Sequence, residues 1–217
     1  MLNYKIRIGL APCRRWLHGK RTGIFSQEFA KGVKDEILPY IKSKFGSEDV
    51  EFVDLEFLNE EGLMFLAEQA DTIAEEFRRQ KVDGLFIINC NFGCEEVAAK
   101  LAQLMKLPTL IWAPKDTVFR EDGMRYTDSQ CGLFATSKQL QRMGIPFSHI
   151  ENCEKEDPVF ARGVEKFLSV TCMVKGFKRL RIAQIGCRPK PFNSVICNEG
   201  ELIEKFGVEI APINLAI

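Results

Sequence analysis

The side chains best suited to hold a ligand stand in a basic segment near the amino terminus, between Cys13 and Gly23. Its basic side chains are Arg14, Arg15, His18, Lys20 and Arg21. Because the whole chain carries 30 basic and 30 acidic residues, this local excess of positive charge suits an anion or a hydroxyl-rich ligand. A solvated loop with surface ion pairs is the alternative. Gly19 and Gly23 favour the binding site, because glycine lets the backbone approach a ligand.

A second candidate segment is Asn-Cys-Asn-Phe-Gly-Cys-Glu-Glu at 89–96, where a buried strand is predicted to turn into a helix. Amides at the helix start and the side chains of Asn89 and Asn91 could converge there on a ligand. The segment has one glycine and no following Lys-Ser/Thr pair, so neither common phosphate-loop pattern is present. Cys90 and Cys94 lack a second cysteine pair or a nearby histidine, so we expect buried thiols and not a zinc site.

Two further segments, 113–129 and 186–194, contain charged side chains that follow predicted strands. The first could hold a carboxylate pair for acid–base catalysis, but a surface loop with a helix cap at Asp128 or Ser129 is the favoured interpretation. The second is another basic loop. His149 is expected to be partly buried at a strand end, and the spacing contains no Ser/His/Asp or Cys/His constellation. The sequence therefore predicts no catalytic residue and no metal ligand in this chain.

Hydrophobic periodicity predicts the elements that position these segments. Strands are expected at 5–11, 50–58, 84–90, 107–113 and 145–150. Helices are expected at about 26–45, 60–80, 95–105, 130–143 and 158–176. This alternation indicates a three-layer αβα fold with an open, doubly wound parallel sheet. In such sheets ligands bind beyond the carboxyl ends of the strands, where the candidate segments lie.

The pattern restarts at 179, where RLRIAQIGCRP resembles the first strand and loop of the chain, KIRIGLAPCRR. A helix at about 194–206 and a strand at 208–215 follow. We therefore predict a first α/β domain at 1–176 and, at 177–217, the incomplete beginning of a second, similar α/β domain. A parallel strand needs neighbours and covering helices, so the second part either lacks most of its domain or borrows cover from the first domain or another subunit.

Composition excludes several classes of protein. A chain of 217 residues with 46% hydrophobic content can fill a real core. The balanced charge argues against binding to nucleic acid or to an anionic membrane. The sequence shows no run long enough for a membrane helix and no signal peptide, and the eight cysteines do not form a dense loop framework. We expect reduced thiols and a cytoplasmic location.

Two long runs carry a family resemblance: VDGLFIINCNFGCEEVAAKLAQLMKLPTLIWAPKD and TDSQCGLFATSKQLQRMGIPFSHI. With the start of the chain, IRIGLAPCRRWLHGKRTG, they resemble the amino-terminal domain of the L-fucose isomerase and L-arabinose isomerase family, above all its fucose-isomerase-like branch. The resemblance implies two α/β domains and a third, mainly β domain. It also implies Mn²⁺ held by Glu, Asp and His side chains that come after the first domain. No cofactor is therefore expected in this chain, whereas Mn²⁺ is expected for a full-length family member.

The resemblance also implies how this domain meets a monosaccharide. In the family, the amino-terminal domain of one subunit closes the sugar pocket of a neighbour in a homo-oligomer, with a basic loop and the end of the central strand. By residue-wise match, the substrate-binding residues expected here are Arg14, Lys20, Arg21, Cys90, Asn91 and Phe92. Fucose isomerases carry a tryptophan in the second motif where this chain has Cys90.

The function predicted from this resemblance is the amino-terminal part of an aldose–ketose isomerase-like protein. It would contribute pocket and oligomer contacts but lack the metal-binding catalytic residues, so this chain alone is expected to be inactive. In the implied reaction the metal polarises sugar oxygens while a carboxylate moves a proton between adjacent carbons. Two alternatives stay open: a stand-alone α/β module that binds a sugar or small molecule, and a domain whose role is assembly.

Overall fold

A computed structural model describes residues 5–16, 24–178 and 180–215. The chain forms two compact units, Met1–Thr171 and Cys172–Ile217, which are described separately below. The division falls inside one helix, close to the predicted boundary at 176. The domain assignment itself, with an incomplete second domain at 177–217, stays a prediction.

The first unit contains a five-stranded parallel sheet with helices on both faces. Its elements in chain order are β1 (Ile6–Cys13), α1 (Gln27–Phe45), β2 (Val50–Val53), α2 (Gln69–Arg79), β3 (Gly84–Asn89), α3 (Glu95–Met105), β4 (Thr109–Trp112), α4 (Ser129–Arg142), β5 (Ser148–His149) and α5 (Pro158–Phe177). The strand order is β2-β1-β3-β4-β5, and every neighbouring pair is parallel. The predicted three-layer α/β fold is confirmed.

The strand order determines where a ligand would bind. The chain moves from β1 to β2 on one side and then returns to place β3, β4 and β5 on the other side. Helices α1 and α3, which follow β1 and β3, therefore lie on opposite faces of the sheet. In sheets of this order the crevice for a ligand lies at the carboxyl edge between these two strands. This edge between β1 and β3 is the topological switch point of the sheet.

Apolar side chains fill both faces of the sheet. All six residues of β3 are buried, as expected for a central parallel strand. On one face, Leu85 and Ile87 belong to a cluster with α2, α3 and α4. On the other face, Phe160 of α5 packs against Phe45 of α1 and lies 4.3 Å, centroid to centroid, from the ring of Trp112. Because each face has its own apolar layer, the carboxyl edge is held rigidly between them.

The segment at 59–68 differs from its prediction. A helix was expected from about residue 60, because Leu63 and Leu66 have helical spacing, but α2 begins only at Gln69. Instead, the Met64 N–H donates to the Pro12 carbonyl at 3.0 Å, and the Arg14 N–H donates to the Met64 carbonyl at 3.1 Å. Residues 59–68 therefore form a loop that extends β1. Strand β2 is shorter than the predicted 50–58, because the chain turns after Val53 and the Leu58 N–H donates to the Leu55 carbonyl at 2.9 Å.

Two local predictions have opposite outcomes. Helix α1 begins where it was predicted, at about residue 26, and Ser26 caps it, because the Ser26 hydroxyl accepts a hydrogen bond from the Phe29 N–H at 3.0 Å. The prediction that His149 is partly buried is wrong. Its side chain is exposed because β5 has two residues and lies at the edge of the sheet.

The second unit repeats the start of the first. It contains β6 (Arg181–Ile185), a short 3-10 turn (Asn193–Val195), α6 (Glu199–Phe206) and β7 (Glu209–Ile213), and its two strands are parallel. Arg181 stands opposite Glu209 and pairs with it at 2.8 Å. In the first unit Arg7 stands opposite Glu51 and pairs with it at 2.6 Å. Both helices also end in Lys-Phe-Gly, so β6–α6–β7 has the register and the ion pair of β1–α1–β2. No helix in the described parts of the chain has the length and apolar content needed to cross a membrane.

Candidate functional site

The predicted binding segments meet at the switch point. The Cys90 N–H donates to the Cys13 carbonyl at 2.9 Å, so the last ladder bond between β1 and β3 lies directly beneath the crevice. Arg14 and Arg15 continue β1 beyond this bond, and Asn91 and Phe92 continue β3. Two segments that are far apart in sequence thus form one wall.

Asn91 joins the two segments, and its amide nitrogen stays unused among the described residues. Its side chain is fully buried, and its Oδ1 accepts hydrogen bonds from the N–H of Arg15 at 2.8 Å and of Gly93 at 3.0 Å. These two donors fix the orientation of the amide. Its Nδ2 then has no hydrogen-bond partner in the described residues. A buried donor without a partner costs about 1–3 kcal/mol, which a ligand that accepts this hydrogen bond would recover.

Asn89, the other predicted amide, is fully used within the protein. Its Oδ1 accepts from the Cys13 thiol at 2.9 Å, and its Nδ2 donates to the Thr136 hydroxyl at 3.2 Å. All three residues are buried. Asn89 therefore connects β1, β3 and α4 beneath the crevice and does not face a ligand.

An aromatic and cationic surface lies beside Asn91. The ring of Phe92 is half-buried and meets Phe25 edge-on, with centroids 5.6 Å apart. The exposed Arg15 guanidinium carbon lies 5.1 Å from the Phe92 ring centroid. Phe25 has a left-handed φ of 62°, and its N–H donates to the Tyr126 carbonyl at 2.8 Å. We refer to Arg15, Asn91 and Phe92 together as the switch-point site.

Arg14 belongs to the interior of the protein. Its side chain is 2% exposed, and its Nε and Nη2 donate to Glu61 at 2.5 and 3.1 Å. Its third donor bonds to the Arg15 carbonyl at 3.1 Å, and its guanidinium lies 3.7 Å from the Phe65 ring centroid. The predicted role of Arg14 in sugar binding stays a prediction, but all of these contacts are within the protein.

The remaining predicted sugar-binding residues are either buried in the protein or outside the described residues. Cys90 is fully buried, and its thiol has only a long contact with the Ile88 carbonyl at 3.7 Å. Lys20 and Arg21 lie outside the described residues. The structure thus brings Asn91 and Phe92 together and adds Arg15, which had no assigned role. The alternation of side chains along an extended chain was the available signal, since it sends Arg14 and Arg15 to opposite sides.

In the segment 113–129, the carboxylate of Asp116 bonds to the start of α4. Its carboxylate accepts from the N–H of Asp128 at 2.9 Å, from the N–H of Ser129 at 3.3 Å and from the Thr127 hydroxyl. Asp128 occupies the cap position of α4 but makes no capping bond with its side chain. The predicted cap position at Asp128 is confirmed, but its capping bond is absent, because the carboxylate of Asp116 accepts from the amides at the start of α4 instead.

The comparison with known families decides the identity. Residues 17–178 match the family model described as fucose/sulfoquinovose isomerase, N-terminal domain. The chain belongs to this family of isomerase N-terminal domains. The match includes Asn91 and Phe92 and extends to the end of α5, so it spans most of the α/β sheet. No curated protein matches the chain.

In the part that the structure describes, this isomerase N-terminal domain has no cluster of side chains that fits a metal ion. Within residues 5–16, 24–178 and 180–215, no group of three or more His, Cys, Asp or Glu residues could hold one. The described donor set therefore does not fit Mn²⁺.

The two thiols beneath the switch-point site, Cys13 and Cys90, are held in the neutral form in this isomerase domain. Burial raises the pKa of Cys13 to about 12, and burial likewise raises the pKa of Cys90 well above its ordinary value. Because the Cys13 pKa in the folded chain exceeds its ordinary value of 9.0, the neutral thiol stabilises the fold fully below about pH 9. This contribution is lost as the pH rises from there toward 12.

We expect a clear division of thiol reactivity at pH 8. Iodoacetamide should modify the exposed Cys187 and Cys197 within minutes and leave Cys13 and Cys90 intact in the native protein. Mass spectrometry of the digested protein gives the extent at each site, and a sample alkylated in denaturant is the control for full reactivity. Rapid native labelling of Cys13 would contradict the buried environment.

Proposed function

We propose that this isomerase N-terminal domain presents the switch-point site to a monosaccharide and so completes the substrate pocket of an aldose–ketose isomerase. The single observation that supports this most strongly is the buried Nδ2 of Asn91, which has no hydrogen-bond partner within residues 5–16, 24–178 and 180–215. Buried polar groups are nearly always hydrogen-bonded, so an unused donor at the carboxyl edge of the sheet supports a ligand as its partner. The family membership indicates the class of that molecule.

Each residue of the switch-point site suits one part of a sugar. The Asn91 amide donates to a hydroxyl oxygen, and the exposed Arg15 guanidinium can donate to one or two more. The face of Phe92 offers apolar contact to the C–H groups of a sugar ring. Phe92 can thus supply the aromatic surface for which fucose isomerases use a tryptophan at the position of Cys90. Lys20 and Arg21 remain predicted contributors from the basic loop.

The chemical step belongs, in this proposal, to other parts of the assembled enzyme. The switch-point site binds and orients the sugar, while the metal and the carboxylate that moves the proton come from outside this chain. We propose that the chain forms a homo-oligomer, because a site open on one side needs a neighbouring subunit to exclude water. The location proposed for this oligomer is the cytoplasm. Apolar side chains exposed in the second unit, including Ile185 and Ile196, are available for such contacts.

Calorimetry on the purified chain tests the proposal. L-Fucose and L-arabinose should bind weakly, with the same affinity with and without Mn²⁺, and light scattering should give a mass above that of one chain. Asn91→Asp keeps the acceptor for Arg15 and Gly93 but removes the Nδ2 donor, so we expect about tenfold weaker binding. Phe92→Ala should have an effect of similar size.

Matched variants make the result specific. Asn193→Asp and Phe134→Ala change the same residue types at exposed positions and should leave sugar affinity unchanged. The proposal fails if neither sugar binds, or if all four variants weaken binding equally. Isomerisation by the chain alone would contradict the assignment of the chemical step to other parts of the enzyme.

A further inference from the structure

A second cleft opens on the α1 side of the sheet, beyond the ends of β4 and β5. Its volume is about 280 Å³, which is near the lower end of the range for small-molecule sites. Like the switch-point site, it lies at the carboxyl edge of a doubly wound sheet, where loops can vary without loss of the core. None of Arg15, Asn91 and Phe92 lines it. We refer to this space as the α1 cleft.

One wall of the α1 cleft is apolar. Phe29, Val33 and Ile37 follow one another at helical spacing along α1 and face the cleft. Pro114 and Val118 close it from the opposite side. A ligand that fills this space must carry an apolar body, because a fully polar molecule would leave its groups unpaired against this wall.

Three of the charged residues at the cleft already pair with one another. Lys155 pairs with Glu36 at 2.5 Å and with Glu156 at 2.6 Å. These two carboxylates raise the pKa of Lys155, so this lysine stays charged and engaged over the whole physiological range. The three residues are paired with one another, and the group keeps a net charge of −1 because one lysine faces two carboxylates.

Lys115 and Glu154 also line the cleft, but they do not belong to this paired group. Pro114 and Cys153 pair as the last bridge beyond β4 and β5, and the Lys115 N–H donates to the Cys153 carbonyl at 3.0 Å. Lys115 and Glu154 are the next residues of the two segments, so they stand side by side at the cleft. Across the part of the chain that the structure describes, neither side chain forms an ion pair. The mouth of the cleft therefore presents one unpaired cation and one unpaired anion beside an apolar wall.

We propose that the α1 cleft binds an α-amino acid with an apolar side chain. The carboxylate of the ligand pairs with Lys115, its ammonium group pairs with Glu154, and its side chain lies on the wall formed by α1. A simple anion would meet Glu154 without a countercharge, and a simple amine would meet Lys115 in the same way. A zwitterion gives Lys115 and Glu154 one countercharge each, so the pair of residues together indicates the class of ligand. This site is independent of the proposed sugar function.

Calorimetry with paired ligands tests the site on the purified chain. L-Leucine and L-phenylalanine should bind, whereas 4-methylpentanoate, isoamylamine and glycine each lack one of the three required parts. We expect each analogue to bind at least about tenfold more weakly than the better amino acid. Equal binding of an analogue that lacks one charge would overturn the proposal, as would the absence of binding by both amino acids.

Variants identify the position of the ligand. Lys115→Met and Glu154→Gln should each weaken amino-acid binding about tenfold, and Val33→Trp should abolish it by filling the cleft. Lys138→Met on the exposed face of α4 is the control and should change nothing. The Val118→Trp variant repeats the filling test from the opposite wall if Val33→Trp proves unstable. Unchanged amino-acid affinity in the lysine and glutamate variants would exclude this cleft as the site, whatever the outcome of the sugar titrations.

Discussion

Gly132→Ala should lower the free energy of unfolding by about 2 kcal/mol or more, although it places a better helix former inside a helix. A Cβ at Gly132 would lie 1.9 Å from the Phe92 carbonyl oxygen and 2.5 Å from the carbonyl carbon. Both atoms belong to the backbone, so no side-chain rotation relieves the overlap. Either α4 or the loop after β3 must move. Urea denaturation measures the loss.

Gly32→Ala is the matched control for this prediction. Gly32 is also inside a helix, but a Cβ there meets nothing within 4 Å. The same substitution should therefore raise the free energy of unfolding by roughly 0.5–1 kcal/mol. Equal stabilities of the two variants would show that α4 does not lie against Phe92.

The Gly132 substitution also connects stability to the proposed function. Displacement of the Phe92 backbone moves the aromatic ring away from Arg15 and from the Asn91 amide. Sugar affinity should therefore fall in Gly132→Ala even under conditions in which the variant is fully folded. Gly32→Ala should bind sugar like the parent chain, because α1 is unchanged on the side that faces the core.

The elements that were predicted well are those whose sequence signal is local. Helix α3 has the predicted bounds of 95–105, because its apolar spacing is regular and acidic residues open its first turn. Strand β3 has a continuous apolar run that a buried central strand requires. In both cases the residues that determine the element lie within the element.

The elements that were predicted poorly depend on contacts with distant segments. The loop at 59–68 has helical spacing, but its hydrogen bonds to Pro12 and Arg14 at the end of β1 outweigh a weak local preference. The capping bonds of α4 come from Asp116, on the other side of a loop. Neither partner can be identified from spacing, because each is brought in by the fold of the sheet.

The candidate site was predicted in part for the same reason. The rule that ligands bind at strand ends located Asn91 and Phe92, which follow β3 directly. This rule did not separate Arg14 from Arg15, because that distinction comes from the alternation of side chains along the extended chain and not from composition. It also gave no indication of Phe25, whose contact with Phe92 depends on the return of the chain after the basic loop.

A second large loss of folding stability is expected when the ion pair between Arg14 and Glu61 is broken. Glu61→Gln would leave the buried guanidinium of Arg14 without a countercharge. Removal of one partner from a fully buried pair typically costs about 3–5 kcal/mol. Because the Glu61 side chain is 28% exposed, water screens part of this loss, and we expect about 2–3 kcal/mol. Chemical denaturation gives the value.

A double-mutant cycle separates the pair from its surroundings. Arg14→Met removes the charge but keeps an apolar chain against Phe65, so it should cost less than Glu61→Gln. In the double variant Arg14→Met with Glu61→Gln, no charge remains buried, and the loss should be smaller than the sum of the two single losses by at least about 1 kcal/mol. Asp71→Asn breaks an exposed pair with Lys100 and should cost no more than about 0.5 kcal/mol. Additive single losses would argue against a coupled pair.

The same variants distinguish a structural Arg14 from the predicted sugar contact. If Arg14 binds sugar directly, Arg14→Met weakens binding, whereas Glu61→Gln releases the guanidinium and leaves the affinity unchanged or higher. If Arg14 acts by holding the Arg15 carbonyl and the loop at 59–68, both variants should weaken sugar binding to a similar extent. We expect the second result, because all three groups of donors on Arg14 are already engaged within the protein. Arg14→Lys should not restore affinity in that case, since a lysine cannot bridge Glu61 and the Arg15 carbonyl with the fixed fork of a guanidinium.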